Sequence, residues 1–324
     1  MRAVFLDYAT VSNGDLDSSI LARAAGSLEL FAMSSGSEIN ERIGGADIVL
    51  LNTVTLSRAH LQAARAVKLV ALAATGTDNV DLQAAQELGI AVCNLRGYCT
   101  ASVAQHAWAM ILSLTQHLTD HARFATDGAW QQGKEPDVLA RPLRELAGRT
   151  LGVVGFGALG RAVAKVGEAF GMRVIVARRP GAAPPDLPQP PDPPRVVLAQ
   201  LLAASDVVSL HCPLTPATRG MIGARELALM KSDALLINTA RGALVDAHAL
   251  AAALKAGRLG GAGIDVLSQE PPVDGNPLLD PGIPNLIVTP HIAWAAREAR
   301  QRCLDEMAAN IEDFRRGGRR GRVV

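Results

Sequence analysis

Arg241, Glu270 and His291 each stand just beyond a short apolar run, and together they carry the groups that reduction of a carbonyl needs. Hydride addition leaves an oxygen that must be protonated, and an anionic substrate needs a cation to hold it. Imidazole is the usual proton carrier near neutral pH. His291 sits in Thr-Pro-His-Ile, where Pro290 breaks a strand and aims the next residue. Arg241 follows Leu-Ile-Asn-Thr-Ala and precedes Gly242. A guanidinium there can grip a carboxylate through two parallel hydrogen bonds and polarise the adjacent carbonyl. Glu270 precedes Pro271-Pro272, which fix its backbone. A carboxylate beside an imidazole holds one tautomer and favours the protonated ring. Of the other histidines, His211 also lies at a strand end. His60, His106, His117, His121 and His248 fall on helical or loop surface patterns and read as ordinary. Spacing alone does not bring the three residues together. A capping histidine, a turn arginine and a loop glutamate are the plain alternatives.

These residues need a scaffold, and the stretch from Leu151 to Gly160 supplies its centre. A short apolar run meets Gly155-Phe156-Gly157-Ala158-Leu159-Gly160, a G-x-G-x-x-G pattern. The first glycine permits a tight turn, the second lets a pyrophosphate approach the backbone, and the third lets helix and strand pack closely. Arg161 to Phe170 reads as a helix stopped by Gly171, and Arg173 to Ala177 as the next strand. The helix N-terminus, with free N–H groups and a positive dipole end, suits a phosphate.

Upstream, strands are expected at Ala3–Leu6, Ala46–Leu51, Leu69–Ala73 and Ile90–Cys93, alternating with helical segments such as Leu16–Ala25, Ser57–Ala66 and Asp81–Leu88. Downstream, strands are expected at Asp206–Leu210, Ala234–Asn238, Ala262–Val266 and Leu286–Val288. This is the rhythm of open parallel sheets, whose ligands sit beyond the carboxyl ends of strands. The loops holding Asn52-Thr53 and Ala74–Asp78 are therefore candidate substrate loops. Ser102 and Gln105 fit a capping box opening a helix to about Leu118. That helix is apolar nearly all round, which marks it as buried. His121 to Arg149, containing Trp130, reads as an irregular arm. Pro180 to Pro194 reads as an exposed stiff loop, and the basic tail Arg315–Arg322 as a solvated, frayed end.

A chain of 324 residues exceeds one ordinary core, so two domains are expected. A net charge of +1 gives no case for nucleic acid, membrane or strongly acidic partners. Cys93, Cys99, Cys212 and Cys303 lack C-x-x-C spacing and read as reduced thiols in a reducing cytosol. The N-terminus runs straight into a strand pattern instead of a signal peptide. No apolar run reaches the ~18 residues of a membrane helix.

The chain resembles the D-isomer-specific 2-hydroxyacid dehydrogenase family, most closely its glycerate dehydrogenase and hydroxypyruvate–glyoxylate reductase branch. The resemblance spans nearly the whole chain. It is carried by Ala74–Asp81, Gly97–His106, the glycine loop, Ser209–Leu214, Asn238–Gly242, Glu270-Pro-Pro and Thr289–Trp294. It implies an α/β protein of two Rossmann-like domains with parallel doubly wound sheets. Residues 1–98 and 291–324 would form a flavodoxin-like substrate domain and 99–290 the dinucleotide-binding domain. The site would lie in the cleft between them, with hinges near 97–100 and 289–291. Catalytic roles are implied for Arg241, Glu270 and His291, and substrate binding for Asn52, Thr75 and Gly76. Cofactor contacts are implied for the glycine loop, His211, Cys212, Pro213, Thr218, Thr239, Ala240 and Asp265, the last at the nicotinamide carboxamide. No metal is expected. A cytoplasmic homodimer formed through residues 100 to 150 is also implied, with Trp130 a residue that could reach the neighbouring site.

Two departures matter. Relatives often carry a lysine where Thr53 follows Asn52. NAD-preferring members place an aspartate where Arg178 stands, and an aspartate repels a 2′-phosphate that Arg178 and Arg179 would attract. NADP(H) is therefore the expected cofactor, with NAD(H) possible. The alternatives are a dinucleotide-sensing corepressor-like binding protein, or a phosphite or formate dehydrogenase of the same fold. A serine-pathway phosphoglycerate enzyme would often append a regulatory domain, for which the chain has no room.

Overall fold

The computed structural model describes residues 1–136, 139, 142–179 and 193–324. Most of the expected proline-rich loop, 180–192, and residues 137–138 and 140–141 of the expected arm lie outside the described residues. The chain divides into two compact units, Met1–Cys99 with Trp294–Val324, and Thr100–Ala293.

The first unit holds strands β1 (Arg2–Phe5), β2 (Ser27–Leu30), β3 (Ile48–Leu51), β4 (Leu69–Leu72) and β5 (Ala91–Cys93). All pair in parallel, in the order β2-β1-β3-β4-β5, which is the flavodoxin-like order. β3 and β4 are wholly buried, as their unbroken Ile, Val and Leu require of strands covered on both faces. Beyond the carboxyl end of β1 lies Asp7, fully buried. Its carboxylate accepts from Asn52 N (2.9 Å), Thr53 N (2.6 Å), Thr53 Oγ1 (2.9 Å) and Val54 N (3.0 Å). Four donors satisfy a carboxylate removed from water and fix the loop after β3.

The basic tail corrects the expectation of a frayed end. Asn94 N donates to Gly321 O (3.0 Å) and Val323 N to Val92 O (2.8 Å), while Val323 and Val324 pack on the unit's core. The tail thus covers the open edge of β5. Two terminal valines anchor it, and the arginines before them mask that signal in the sequence.

The second unit holds β6 (Thr150–Val154), β7 (Arg173–Ala177), β8 (Arg195–Val196), β9 (Val207–Leu210), β10 (Leu235–Asn238), β11 (Gly261–Ile264) and β12 (Leu286–Val288). The order is β12-β11-β10-β9-β6-β7-β8, all parallel. Register sets the consequence: Val154, Leu210, Asn238, Ile264 and Val288 lie in one row across the sheet. The chain therefore leaves five strands at one level, and Gly155, His211, Thr239, Asp265 and Thr289 begin the loops along a single edge.

The helix Thr100–Thr115 backs this sheet through Ala104, Ala107, Trp108, Met110, Ile111 and Leu114. Fully burying a side chain such as Ile111 contributes about 1.5–3 kcal/mol. Trp108 also donates from Nε1 to Val163 O (3.0 Å) and stacks on Phe170. The helix starts at Thr100, so Ser102 is not its cap; the Ser102 hydroxyl instead donates to Ala293 O (2.6 Å). The expected arm contains a further helix, Leu118–Thr126, and Trp130 is 61 % exposed. The second unit runs on to Ala293, past the expected hinge at 289–291, because Asp265 ties Ile292 and Ala293 to the end of β11. No helix among the described residues is long and apolar enough to cross a membrane.

Candidate active site

The glycine loop closes against its own helix and the neighbouring strand end. Gly155 adopts φ +96°, and a Cβ there would come within 2.6 Å of the His211 and Cys212 backbone. A Cβ on Gly160 would lie 2.0 Å from Gly155 O. Gly157 differs: a Cβ on it would meet nothing within 4 Å. Gly157 is also the N-cap of the helix Ala158–Ala169, with no side chain capping its first N–H groups. The helix thus begins three residues before the expected Arg161. Gly155 and Gly160 let the turn fold, and Gly157 leaves room for a ligand to reach backbone N–H groups.

Three loops further along the same edge hold the candidate chemistry. Asn238, fully buried at the end of β10, accepts from Ala240 N (3.1 Å) and donates to Arg241 O (2.9 Å), bracketing the turn that carries Arg241. A Cβ on Gly242 would stand 2.0 Å from Leu267 C and 2.4 Å from Ser268 N. Only glycine permits this contact, which brings the Arg241 turn against the loop carrying Glu270. Glu270 Oε1 accepts from Leu267 N (2.6 Å), and Oε2 lies 2.6 Å from His291 Nδ1. An ionised carboxylate only accepts, so Nδ1 carries a proton and proton exchange falls to Nε2.

Burial pushes the Glu270 carboxyl up, but the His291 hydrogen bond and charge, the Leu267 amide and the Arg241 charge outweigh it and hold it below its usual value of 4.5. A depressed carboxylate stabilises the fold above its unfolded pKa, and that contribution is lost as pH falls through the folded value. The melting temperature of the wild type should therefore exceed that of Glu270→Gln at about pH 7, with the gap closing on acidification below the ordinary glutamate range. Melting curves across pH test this; a gap that does not change with pH contradicts it.

Three polar atoms at this edge are buried and lack a hydrogen-bond partner among the described residues: His211 Nδ1, Thr239 Oγ1 and Arg178 Nε. Burial pushes the His211 imidazole down to about 4, so it is neutral near pH 7, and its Nε2 lies 2.8 Å from Ser209 Oγ. Cys212 rests against Met221 (3.7 Å), and burial raises its thiol. Pro213 is exposed and Ala240 partly so. Thr218 is buried and holds its own loop, donating to Pro213 O (2.7 Å) and accepting from Thr215 N (2.8 Å). Arg178 is partly buried and Arg179 exposed. Arg195, which the sequence reading missed, places its guanidinium 5.6 Å from the Phe156 ring. It lies on a two-residue edge strand, too short to leave a pattern. Asp265 is 1 % exposed, and its carboxylate accepts from Thr289 Oγ1, Ile292 N and Ala293 N. That engagement fixes the His291 loop.

In the first unit, Asn52 donates to Thr10 Oγ1 (3.0 Å), and Asn94 donates to Thr75 O (2.7 Å). Asn94 therefore orients the Thr75-Gly76 turn, a role that a lone strand-end asparagine did not reveal.

The open approach at Gly157, the uncapped helix start and the unpaired polar atoms fit a dinucleotide laid along the carboxyl edge. The comparisons agree. The family model of the D-isomer specific 2-hydroxyacid dehydrogenase NAD binding domain matches residues 108–293. Glycerate dehydrogenase of Methylorubrum extorquens is 46 % identical over 277 residues, 86 % of this chain and 85 % of that one. Hydroxypyruvate reductase of Blautia hydrogenotrophica is 37 % identical over 323 residues, 98 % of each. The crystal structure of TT0316 protein from Thermus thermophilus matches with a TM-score of 0.85 at 36 % identity, over the full length of both chains. Fold and relatives define an oxidoreductase that uses a nicotinamide dinucleotide and acts on the CH–OH group of its donor. The chain belongs to the D-isomer specific 2-hydroxyacid dehydrogenase family. The binding-protein and phosphite or formate alternatives are not favoured by these relatives.

Proposed function

We propose that the protein reduces hydroxypyruvate or glyoxylate to the D-2-hydroxy acid, preferring NADPH, and runs the reverse oxidation when product accumulates. The observation that carries this reading is the 2.6 Å contact of His291 Nδ1 with Glu270, a carboxylate on which the Arg241 charge also acts. When bound, the reduced nicotinamide supplies the hydride. Arg241 binds the substrate carboxylate and polarises the adjacent carbonyl. By the family resemblance, the backbone amides of Thr75 and Gly76 would hold the substrate carboxylate, and Asn52 would meet the substrate's far end. Glu270 keeps the His291 ring in one tautomer. Protonated His291 gives its Nε2 proton to the carbonyl oxygen, and the neutral ring takes a proton from the hydroxyl in reverse.

The glycine-loop amides at Gly155–Gly160 would hold the pyrophosphate, with His211, Cys212, Pro213, Thr239 and Ala240 lining the dinucleotide. Arg178 and Arg179 would receive the 2′-phosphate, supported by the unpaired Arg178 Nε and the proximity of Arg195 to the glycine loop. Hydrogen bonds to charged groups contribute about 1.5–3 kcal/mol, so Arg178→Asp should lower the NADPH-to-NADH ratio of kcat/KM roughly 10- to 100-fold. An unchanged ratio removes Arg178 from cofactor choice.

The family resemblance also supports a cytoplasmic homodimer and a small 2-oxo or 2-hydroxy acid as substrate, and the net charge of +1 gives no case for nucleic acid or membrane partners. Initial rates with NADPH and NADH across hydroxypyruvate, glyoxylate, pyruvate and bulkier 2-oxo acids test the proposal. The two smallest polar substrates with NADPH should give the highest kcat/KM; a bulky apolar 2-oxo acid leading the series contradicts it.

A further inference from the structure

His106 reads from the sequence as an ordinary helix-surface residue, but its ring reaches the loop that carries His291. His106 Nε2 lies 3.0 Å from Thr289 Oγ1 and 3.5 Å from Asp265 Oδ1. Thr289 Oγ1 stands 2.6 Å from that same aspartate oxygen. A hydroxyl has one proton, and an ionised carboxylate can only accept. The Thr289 proton therefore goes to Asp265, and Thr289 faces His106 as an acceptor. His106 Nε2 must carry the proton between them.

Asp265 is sealed from solvent, its side chain 0 % exposed. Besides Thr289, its carboxylate accepts from Ile292 N (2.9 Å) and Ala293 N (2.9 Å), and its carbonyl accepts from His291 N (2.7 Å). One residue thus holds both sides of His291. His291 itself adopts φ +54°. A left-handed non-glycine residue is strained and persists only where its surroundings over-determine it. The Asp265 contacts supply that constraint, and His106 braces them from the helix Thr100–Thr115.

We propose that His106 is a positioning residue for His291. By donating to Thr289 and facing Asp265, it locks the carboxylate that keeps the His291 turn left-handed, and so keeps the imidazole against Glu270. The proposal rests on the reading of His291 as the acid.

Glutamine at position 106 can place an amide donor near the position of Nε2, whereas alanine cannot. A misplacement of about 1 Å can cost roughly 10²-fold in rate. His106→Ala should therefore lower kcat about 10- to 100-fold with dinucleotide KM within about twofold, and His106→Gln should recover most of kcat. Thr289→Val, similar in shape but without the hydroxyl, should reproduce the alanine loss, and Thr289→Ser should not. This second pair decides the matter if His106→Ala folds poorly. Wild-type kcat in both His106→Ala and Thr289→Val, or equal losses in the alanine and glutamine variants, overturns the proposal. His291→Ala, measured alongside, separates the two claims. If it is inactive while His106→Ala is fully active, only the positioning role falls. If His291→Ala turns over normally, the acid assignment falls and takes this proposal with it.

Discussion

His291→Ala should lose about 10²- to 10⁴-fold in turnover, the range that a positioned general acid or base contributes, while dinucleotide affinity changes little. The split follows from the structure. His291 lies on the loop after β12 and pairs with Glu270, whereas the glycine turn stands at the far side of β9 and β10, after β6. Removing the imidazole leaves the Gly155–Gly160 backbone and the unpaired atoms of His211 and Thr239 untouched. Steady-state kinetics and fluorescence titration of the dinucleotide read the two quantities separately. Lost affinity with normal turnover contradicts the assignment.

Arg241 should show a different signature. Two hydrogen bonds to a charged group are together worth about 3–6 kcal/mol, so Arg241→Ala should lower kcat/KM roughly 10²- to 10⁴-fold, through both a raised substrate KM and a lower kcat. KM rises because the carboxylate loses its anchor, and kcat falls because the carbonyl is no longer polarised. Arg241→Lys retains the charge but not the planar fork, so it should recover only part of the loss. The alanine variant should also relieve part of the depression of the Glu270 carboxyl, since the Arg241 charge contributes to it. Full recovery by lysine would show that charge alone suffices and would contradict a bidentate grip.

Strands buried on both faces were legible because their apolar runs are unbroken, as in Ile48–Leu51 and Leu69–Leu72. β2 and β8 left no such signal: they are edge strands, Ser-Leu-Glu-Leu and Arg-Val, largely exposed. The doubly wound α/β fold followed from the strand rhythm and the glycine turn, because Gly155 and Gly160 each answer a local steric demand. Arg241, Glu270 and His291 were legible as strand-end residues, since a parallel sheet brings its carboxyl ends to one edge. What held them in place was not. Gly242 packs on Leu267, Ser102 bonds Ala293, and His106 reaches Thr289, 183 residues away. Ser102 looked like a cap because local spacing cannot register so distant a partner. The tail looked frayed because its arginines outnumber the two valines that dock it.

The most direct test is a crystal structure of the enzyme with NADP⁺ and a non-reactive dicarboxylate such as tartronate or oxalate. The account predicts one carboxylate held by Arg241 through two hydrogen bonds, with a second ligand oxygen about 2.6–3.2 Å from His291 Nε2. An inhibitor bound to Arg241 with His291 turned away from it, or bound at neither residue, contradicts the account.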